Sequence, residues 1–154
     1  MTGPAPISDD AFAQVVRHTP LVSIDLIVMD HKGMVLTGLR ANEPARGTYF
    51  VPGGVIRKNE TISDAFARIM QAELGFARNF DEAFFVGLFE HFYDTNRFGH
   101  PSYGTHYVVL AYSLELAERP PIKPDAQHRT IRWMTPAEIL ASPDVHLNTQ
   151  AYFR

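Results

Sequence analysis

The sequence predicts an α+β fold, an α/β/α sandwich in which helices lie on both sides of a mixed central sheet. Apolar runs of strand length occur in both halves of the chain, at 21–29, 84–93 and 106–116. Segments with helical spacing of apolar residues, flanked by capping residues, lie between and after these runs. Because strands and helices are mixed without strict alternation, an α+β or layered α/β/α domain is favoured.

The first half of the chain begins with a helix that Ser8 or Asp9 can cap. Pro52-Gly53-Gly54 is expected to end a short apolar strand sharply, and Gly75 stops the helix that follows. The predicted elements are, in order, helix 9–16, strands 21–29, 34–39 and 49–51, and helix 61–74.

The second half contains two long strands separated by a loop with Gly99, Pro101 and Gly104. Thr135-Pro136-Ala137-Glu138 opens a helix with a cap, a proline at the first position and a glutamate at the third. The predicted elements are strands 84–93 and 106–116, an edge strand at 131–134, a helix from 136 and a last helix at 148–153.

Composition limits the classes of function. The 154 residues fit one domain, 1–154, with a single core. With 14 basic and 17 acidic side chains the formal charge is −3, which gives no reason to expect a nucleic-acid or membrane surface. The absence of cysteine excludes disulfides and thiolate metal sites. The apolar run 21–29 is too short to span a bilayer and no secretory signal is visible, so we expect a cytoplasmic protein.

A glycine loop followed by a helix is the most informative stretch. Gly54, Glu60, Arg68, Glu73 and Gly75 are in register with the Nudix box, in which five residues separate the first pair and seven the next. Paired glycines expose carbonyl oxygens, which suit a hard divalent cation, and a helix carboxylate opposite supplies another ligand. The alternative is an ordinary glycine turn before an amphipathic helix whose charged residues face solvent.

Two positions depart from that box. Ile69 and Ala72 stand where it usually has glutamates. Their absence removes most of the negative charge that would hold several Mg²⁺ ions, so the sequence predicts a single divalent cation. A decayed, inactive box would lose carboxylates in the same way.

Segments outside the box extend the resemblance to almost the whole chain, from about Ser8 to Phe153. Together they resemble the GDP-mannose mannosyl hydrolase family of the Nudix superfamily. The matching segments are Thr19-Pro20-Leu21-Val22-Ser23, His91-Phe92-Tyr93-Asp94, Thr105-His106-Tyr107-Val108, Pro124-Asp125 with Gln127-His128, and Arg132-Trp133.

The resemblance implies hydrolysis of a GDP-sugar, GDP-mannose or GDP-glucose, to GDP and free sugar. Water attacks sugar C1 with inversion. By position, His128 corresponds to the general base, and Asp25 to a carboxylate that stabilises positive charge on the sugar. Arg40, Arg68 and Tyr107 correspond to groups that contact the diphosphate.

Further residues follow from the same resemblance. His91 is a substrate-binding residue and the second candidate for the base. One Mg²⁺ per active site, with Mn²⁺ as a substitute, is expected on the Gly53 carbonyl, Glu73 and Gln127. The family pattern has an arginine directly after Gly54, where this sequence has Val55.

The missing arginine leaves three candidates for its replacement, which are Arg57, Lys58 and Arg46. We take Arg57 as a substrate-binding residue.

Two other functions remain open: a pyrophosphatase that attacks phosphorus and gives nucleoside monophosphate and sugar phosphate, and a non-catalytic module that binds nucleotide sugars. The expected partners are a small nucleotide sugar and, from the resemblance, a second copy in a homodimer.

Overall fold

The computed structural model describes residues 6–122 and 130–154. Within them, four α-helices and seven strands follow one another in the chain, with single 3-10 turns at Phe80–Glu82 and Ala151–Phe153. The elements are α1 (Asp9–His18), β1 (Leu21–Met29), β2 (Val35–Leu39), β3 (Tyr49–Phe50), β4 (Gly53–Val55), α2 (Ile62–Leu74), β5 (Phe84–Tyr93), β6 (Thr105–Glu115), β7 (Ile131–Met134), α3 (Pro136–Ala141) and α4 (Leu147–Gln150).

The strands form one mixed sheet in the order β3-β2-β1-β6-β5, with β4 also paired to β1 and β7 to β2. β1 and β6 run parallel, and the other pairs are antiparallel. The prediction of an α+β architecture with a mixed sheet is therefore confirmed. No helix of the described part is long and apolar enough to cross a membrane.

Alternation along β1 separates two layers of core. Ile24, Leu26 and Val28 pack with α2 residues such as Phe66 in the larger cluster. Ile27 instead packs with Ile139 of α3 in a second cluster. Since successive side chains of a strand point to opposite faces, Asp25 shares the face of Ile27 and lies on the side of the carboxy-terminal helices.

The predicted caps fix the helices. Thr61 accepts a hydrogen bond from the Asp64 amide, and Gly75 ends α2 in the left-handed conformation with φ 79°. Thr135 and Glu138 form a reciprocal capping box at α3. Each cap satisfies amide groups that helix ends leave without partners, so these boundaries follow from local sequence.

Some predicted boundaries were wrong. The Pro-Gly-Gly segment does not simply end a strand, because Gly53–Val55 forms β4 and pairs with Ser23 to Asp25 of β1. The last helix begins earlier than 148, since His146 caps α4 through the Asn148 amide. α1 extends to His18 rather than stopping at Val16.

Candidate active site

A cavity of about 300 Å³ opens between the β1–β6 region of the sheet, the Gly53-Gly54 loop and the loop that follows β2. Six of the residues predicted from the sequence line it together. They are Asp25, Arg40, Gly53, Glu73, His91 and Tyr107.

The absence of side chains on the glycine loop makes this arrangement possible. Gly53 pairs with Asp25 in the β1–β4 register. A Cβ on Gly53 would overlap Asp25 Oδ1 and would lie 2.7 Å from the Ile24 carbonyl oxygen. Only glycine lets the loop backbone approach the Asp25 carboxylate this closely.

Asp25 is held by a residue from the far end of the chain. Tyr152 Oη donates to Asp25 Oδ2 at 2.5 Å, and the same hydroxyl lies 3.3 Å from His91 Nε2. Because the hydroxyl proton points at Asp25, its oxygen can accept a hydrogen bond from Nε2 of a neutral His91. The three side chains form one hydrogen-bonded row from the sheet to the carboxy-terminal 3-10 turn.

Burial dominates the titration of this row. It raises the pKa of Asp25 to about 6, which the Tyr152 hydrogen bond and Arg40 oppose and Glu73 reinforces. It also lowers the pKa of His91 to about 4, with His146 adding to the effect. His91 is thus neutral near pH 7, and with so low a pKa it is a weak acceptor of protons from water.

Arg40 and Tyr107 supply polar groups to the same cavity. Arg40 Nε donates to the Pro44 carbonyl at 2.7 Å, and its guanidinium lies 5.5 Å from the centre of the Phe50 ring. Within the described residues this hydrogen bond uses only Nε, which leaves the two terminal nitrogens as donors for an anion. Burial raises the pKa of Tyr107, so its hydroxyl keeps a proton to donate.

Arg68 forms an ion pair with Glu60 at the start of the box helix. Its Nε lies 2.7 Å from Glu60 Oε2, and its terminal nitrogen donates to Glu60 Oε1 and to the Val55 carbonyl. The side chain of Glu60 is 3% exposed, and its carboxylate also accepts a hydrogen bond from the Arg57 amide at 3.0 Å. The Arg68–Glu60 pair holds the loop between β4 and α2 against the helix. The described cavity wall includes neither Arg68 nor Arg57.

The first substitution in the box also has a structural explanation. Ile69 is 2% exposed and belongs to the core, and a Cβ on Gly54 would lie 2.9 Å from its Cγ1. An ionised glutamate at 69 in this packing would be buried against backbone and apolar groups. Ala72, by contrast, is exposed on the outside of α2.

The described residues of the predicted metal site offer hard oxygen donors only. Glu73 of α2 and the Gly53 backbone border the same cavity, which fits a cation such as Mg²⁺. Within residues 6–122 and 130–154, no three acidic or histidine side chains converge as a cage. Gln127 and His128 lie outside the described residues.

Sequence reasoning missed two residues of the cavity region. Tyr152 contacts Asp25 and His91 across 127 and 61 positions of sequence, and no local pattern marks such a pair. Arg97 lines the cavity beside Phe12 of α1, whereas Arg46, Arg57 and Lys58 do not. A basic residue within the glycine-containing loop 94–104 was the available signal for Arg97.

The model of the NUDIX domain family matches residues 19–153. The chain therefore belongs to the NUDIX domain family, and its fold and site define it as a Nudix hydrolase, a class that generally uses divalent cations such as Mg²⁺.

The chain is also similar to other proteins over most of its length. The chain is 42% identical over 131 residues to the low-salt glycan biosynthesis protein Agl8 of Haloferax volcanii, covering 84% of this chain and 80% of that protein. The MutT NUDIX hydrolase of Burkholderia pseudomallei aligns with a TM-score of 0.68 at 22% identity, over 88% and 97% of the two chains. The NUDIX domain of Shewanella oneidensis NrtR, solved with ADP ribose, has a TM-score of 0.65 at 14% identity over 95% of each chain. These two structures show the fold alone.

Proposed function

We propose that this Nudix hydrolase cleaves a GDP-sugar, GDP-mannose or GDP-glucose, into GDP and free sugar by attack of water at sugar C1. The observation that carries the proposal is the composition of the cavity. One buried carboxylate, Asp25, faces it together with Arg40 and Tyr107. The position on α2 that would carry a further metal-binding carboxylate is instead filled by Ile69, packed in the core.

Substitution at C1 requires support for positive charge on the sugar. Asp25 can supply it, because above a pH of about 6 its buried carboxylate is ionised. Tyr152 fixes Oδ2 by a hydrogen bond, and Oδ1 lies against Gly53 where a side chain would otherwise be, so the charge is oriented before substrate binds. His91 borders the same row as a neutral donor and acceptor.

The departing diphosphate requires neutralisation. Arg40 is suited to this because a guanidinium presents several donors in a rigid fork. Tyr107 donates from its hydroxyl. In the reaction, the bond from water oxygen to C1 forms as the bond from C1 to the diphosphate oxygen breaks. The proton of the water passes to a base, for which the family resemblance supports His128.

The Gly53 carbonyl, Glu73 and Gln127 would hold one Mg²⁺, or Mn²⁺ as a substitute. When bound, the cation would withdraw charge from the diphosphate as a Lewis acid. Gly53 and Glu73 border the cavity, which supports this placement. A place in glycan synthesis is supported by the name of the Haloferax volcanii relative, because nucleotide sugars are the usual donors of such pathways.

The alternative of attack at phosphorus predicts different products from the same substrate. We would incubate the protein with GDP-mannose or GDP-glucose and Mg²⁺ in H₂¹⁸O and identify products by mass spectrometry. GDP with label in the free sugar is expected. GMP with sugar 1-phosphate and label in a phosphate would contradict attack at C1. Binding of the intact nucleotide sugar without turnover would favour the non-catalytic module.

We also propose that the protein forms a homodimer through the edge of its sheet. In the described residues β5 has only β6 as a neighbour, so its outer main-chain groups are available for pairing. Phe85, Leu88 and Phe92, which we call the edge patch, are 56%, 65% and 65% exposed. Their partners in the register lie on the α2 face of β6, so the patch forms one surface. A twofold axis would bring the same strand and patch of a second copy together.

A further inference from the structure

The loop between β5 and β6 is organised by one buried amide. Asn96 is 1% exposed. Its Nδ2 donates to the carbonyls of His100 and Tyr103 at 2.9 and 2.8 Å. Its Oδ1 accepts from the amides of Phe98 and His100 at 3.0 and 3.2 Å. All four hydrogen-bonding positions of the side chain are therefore used, which holds the loop in one conformation.

This loop presents Arg97 to the cavity. The guanidinium carbon lies 5.5 Å from the centre of the Phe12 ring of α1 and 5.4 Å from that of Phe98. The two rings contact each other edge to face at 5.9 Å. Among residues 6–122 and 130–154, no carboxylate forms an ion pair with Arg97. Aromatic contacts thus position the cation while its hydrogen-bond donors stay available.

The loop that carries Arg97 is joined to the loop that carries Arg40. Thr95 Oγ1 donates to Glu43 Oε2 at 2.8 Å, and Arg40 bonds the neighbouring Pro44. Both guanidiniums border the same cavity. Burial raises the pKa of Tyr107, and the positive charges of Arg40 and Arg97 each lower it in part, so both guanidiniums lie close enough to interact electrostatically with the tyrosine.

We propose that Arg97 is a second diphosphate-binding residue, which acts with Arg40 and replaces the positive charge missing at Val55. This inference rests on the proposed function for the identity of the ligand as a nucleoside diphosphate. Val55 borders the cavity with an apolar side chain. Two guanidiniums on joined loops would then bind neighbouring phosphate groups of one diphosphate.

Binding measurements test this without catalysis. Isothermal titration calorimetry with Mg²⁺ present would compare inorganic pyrophosphate, GDP and guanosine. Arg97→Gln is expected to weaken the binding of pyrophosphate and GDP by roughly 10- to 100-fold and to leave guanosine unchanged, because only the phosphates meet the guanidinium. Arg97→Lys, which keeps the charge but not the fork, should recover part of the loss.

Arg17→Gln is the matched control. Arg17 lies over the Tyr103 ring of the same region at 5.8 Å and borders a different pocket. The Arg17→Gln variant should bind pyrophosphate and GDP with the same affinity as the wild type. Equal affinities of Arg97→Gln and wild type for pyrophosphate and GDP would overturn the assignment, and so would an equal loss in Arg17→Gln.

The two proposals fail separately. If Arg97→Gln binds pyrophosphate and GDP more weakly but the reaction in H₂¹⁸O gives GMP and sugar 1-phosphate, Arg97 remains a phosphate-binding residue and attack at C1 is excluded. If binding is unchanged but the products are GDP and free sugar, attack at C1 is supported and the role of Arg97 is excluded.

Discussion

Tyr152 Oη donates a hydrogen bond of 2.5 Å to Asp25 Oδ2, although 127 positions of sequence separate the two residues. Burial beside Asp25 raises the pKa of Tyr152, so the hydroxyl keeps its proton and acts as a donor. The bond fixes one oxygen of the carboxylate that faces the cavity. The carboxy-terminal turn is thereby part of the candidate active site.

Removal of this hydroxyl should move the titration of Asp25. In Tyr152→Phe the carboxylate loses a donor that stabilises its charged form, so the pKa of Asp25 should rise above about 6. Carbon-13 NMR of labelled aspartate would measure that pKa directly. The acidic limb of kcat/KM should move to higher pH by the same amount. An unchanged pKa of Asp25 would show that the hydrogen bond has no electrostatic role.

Tyr112→Phe is the control for that experiment. Tyr112 lies on β6 among Phe66, Phe80 and Phe85, on the α2 side of the sheet. Tyr112→Phe also removes a tyrosine hydroxyl, but on the opposite face of the sheet from Asp25, so the pKa of Asp25 should stay as in the wild type.

The raised pKa of Asp25 also predicts a pH dependence of stability. The folded state keeps a proton that the unfolded state releases between 3.8 and about 6, so this group contributes less stability as pH rises through that window. Asp25→Asn should therefore gain stability relative to the wild type between about pH 4 and about pH 7. Urea unfolding at the two pH values measures this, with the exposed Asp144→Asn as control. A constant difference across the window would contradict the raised pKa.

His91 acts in the opposite direction. Its pKa is lowered from 6.5 to about 4, so the unfolded state binds the extra proton and stability rises with pH over that window. In the wild type the two contributions to the pH dependence of stability offset each other. In Asp25→Asn only that of His91 remains, so the free energy of unfolding should rise more steeply with pH than in the wild type.

Substitution of Arg68 distinguishes its structural role from its predicted catalytic one. Arg68→Gln leaves the Glu60 carboxylate without its ion pair, and because Arg68 is partly exposed the free energy of unfolding should fall by about 1–3 kcal/mol. A double-mutant cycle with Glu60→Gln should show strong coupling. Normal stability with a large loss of kcat would instead support direct contact with the diphosphate.

Restoring the glutamates of the box should have unequal effects. Ile69→Glu would bury a charge against Gly54 and should destabilise the fold by several kcal/mol, on the order of 4 kcal/mol. Ala72→Glu, on the exposed side of α2, should change stability by less than about 0.5 kcal/mol. Thermal unfolding of the two variants checks this. A stable Ile69→Glu protein that binds additional Mg²⁺ would show that the helix can adopt the ordinary box.

Disruption of the edge patch should affect assembly. Leu88→Glu places a charge at the centre of the proposed dimer surface and should give a monomer in light scattering, where the wild type is a dimer. Leu147→Glu changes an equally exposed leucine on α4 and should leave the dimer intact. A wild-type monomer at all concentrations would contradict the proposal.

The sequence alone determined the elements whose signals are local. Caps at Thr61, Gly75 and Thr135 set helix boundaries because they satisfy amide and carbonyl groups within a few residues. The spacing from Gly54 to Glu73 predicted a glycine loop beside a helix carboxylate, and the structure has both at one cavity.

Only the tertiary structure decided which partners these residues have. β4 exists because Gly53–Val55 pairs with β1, a contact that no local propensity predicts. Tyr152 reaches Asp25 and Arg97 enters the cavity, each through packing of segments distant in sequence. Arg68 and Glu60 are only eight positions apart, and they pair because the residues before α2 fold back onto the helix. A pattern in sequence specifies a face or a cap, whereas the geometry of a site depends on how the layers of the sandwich meet.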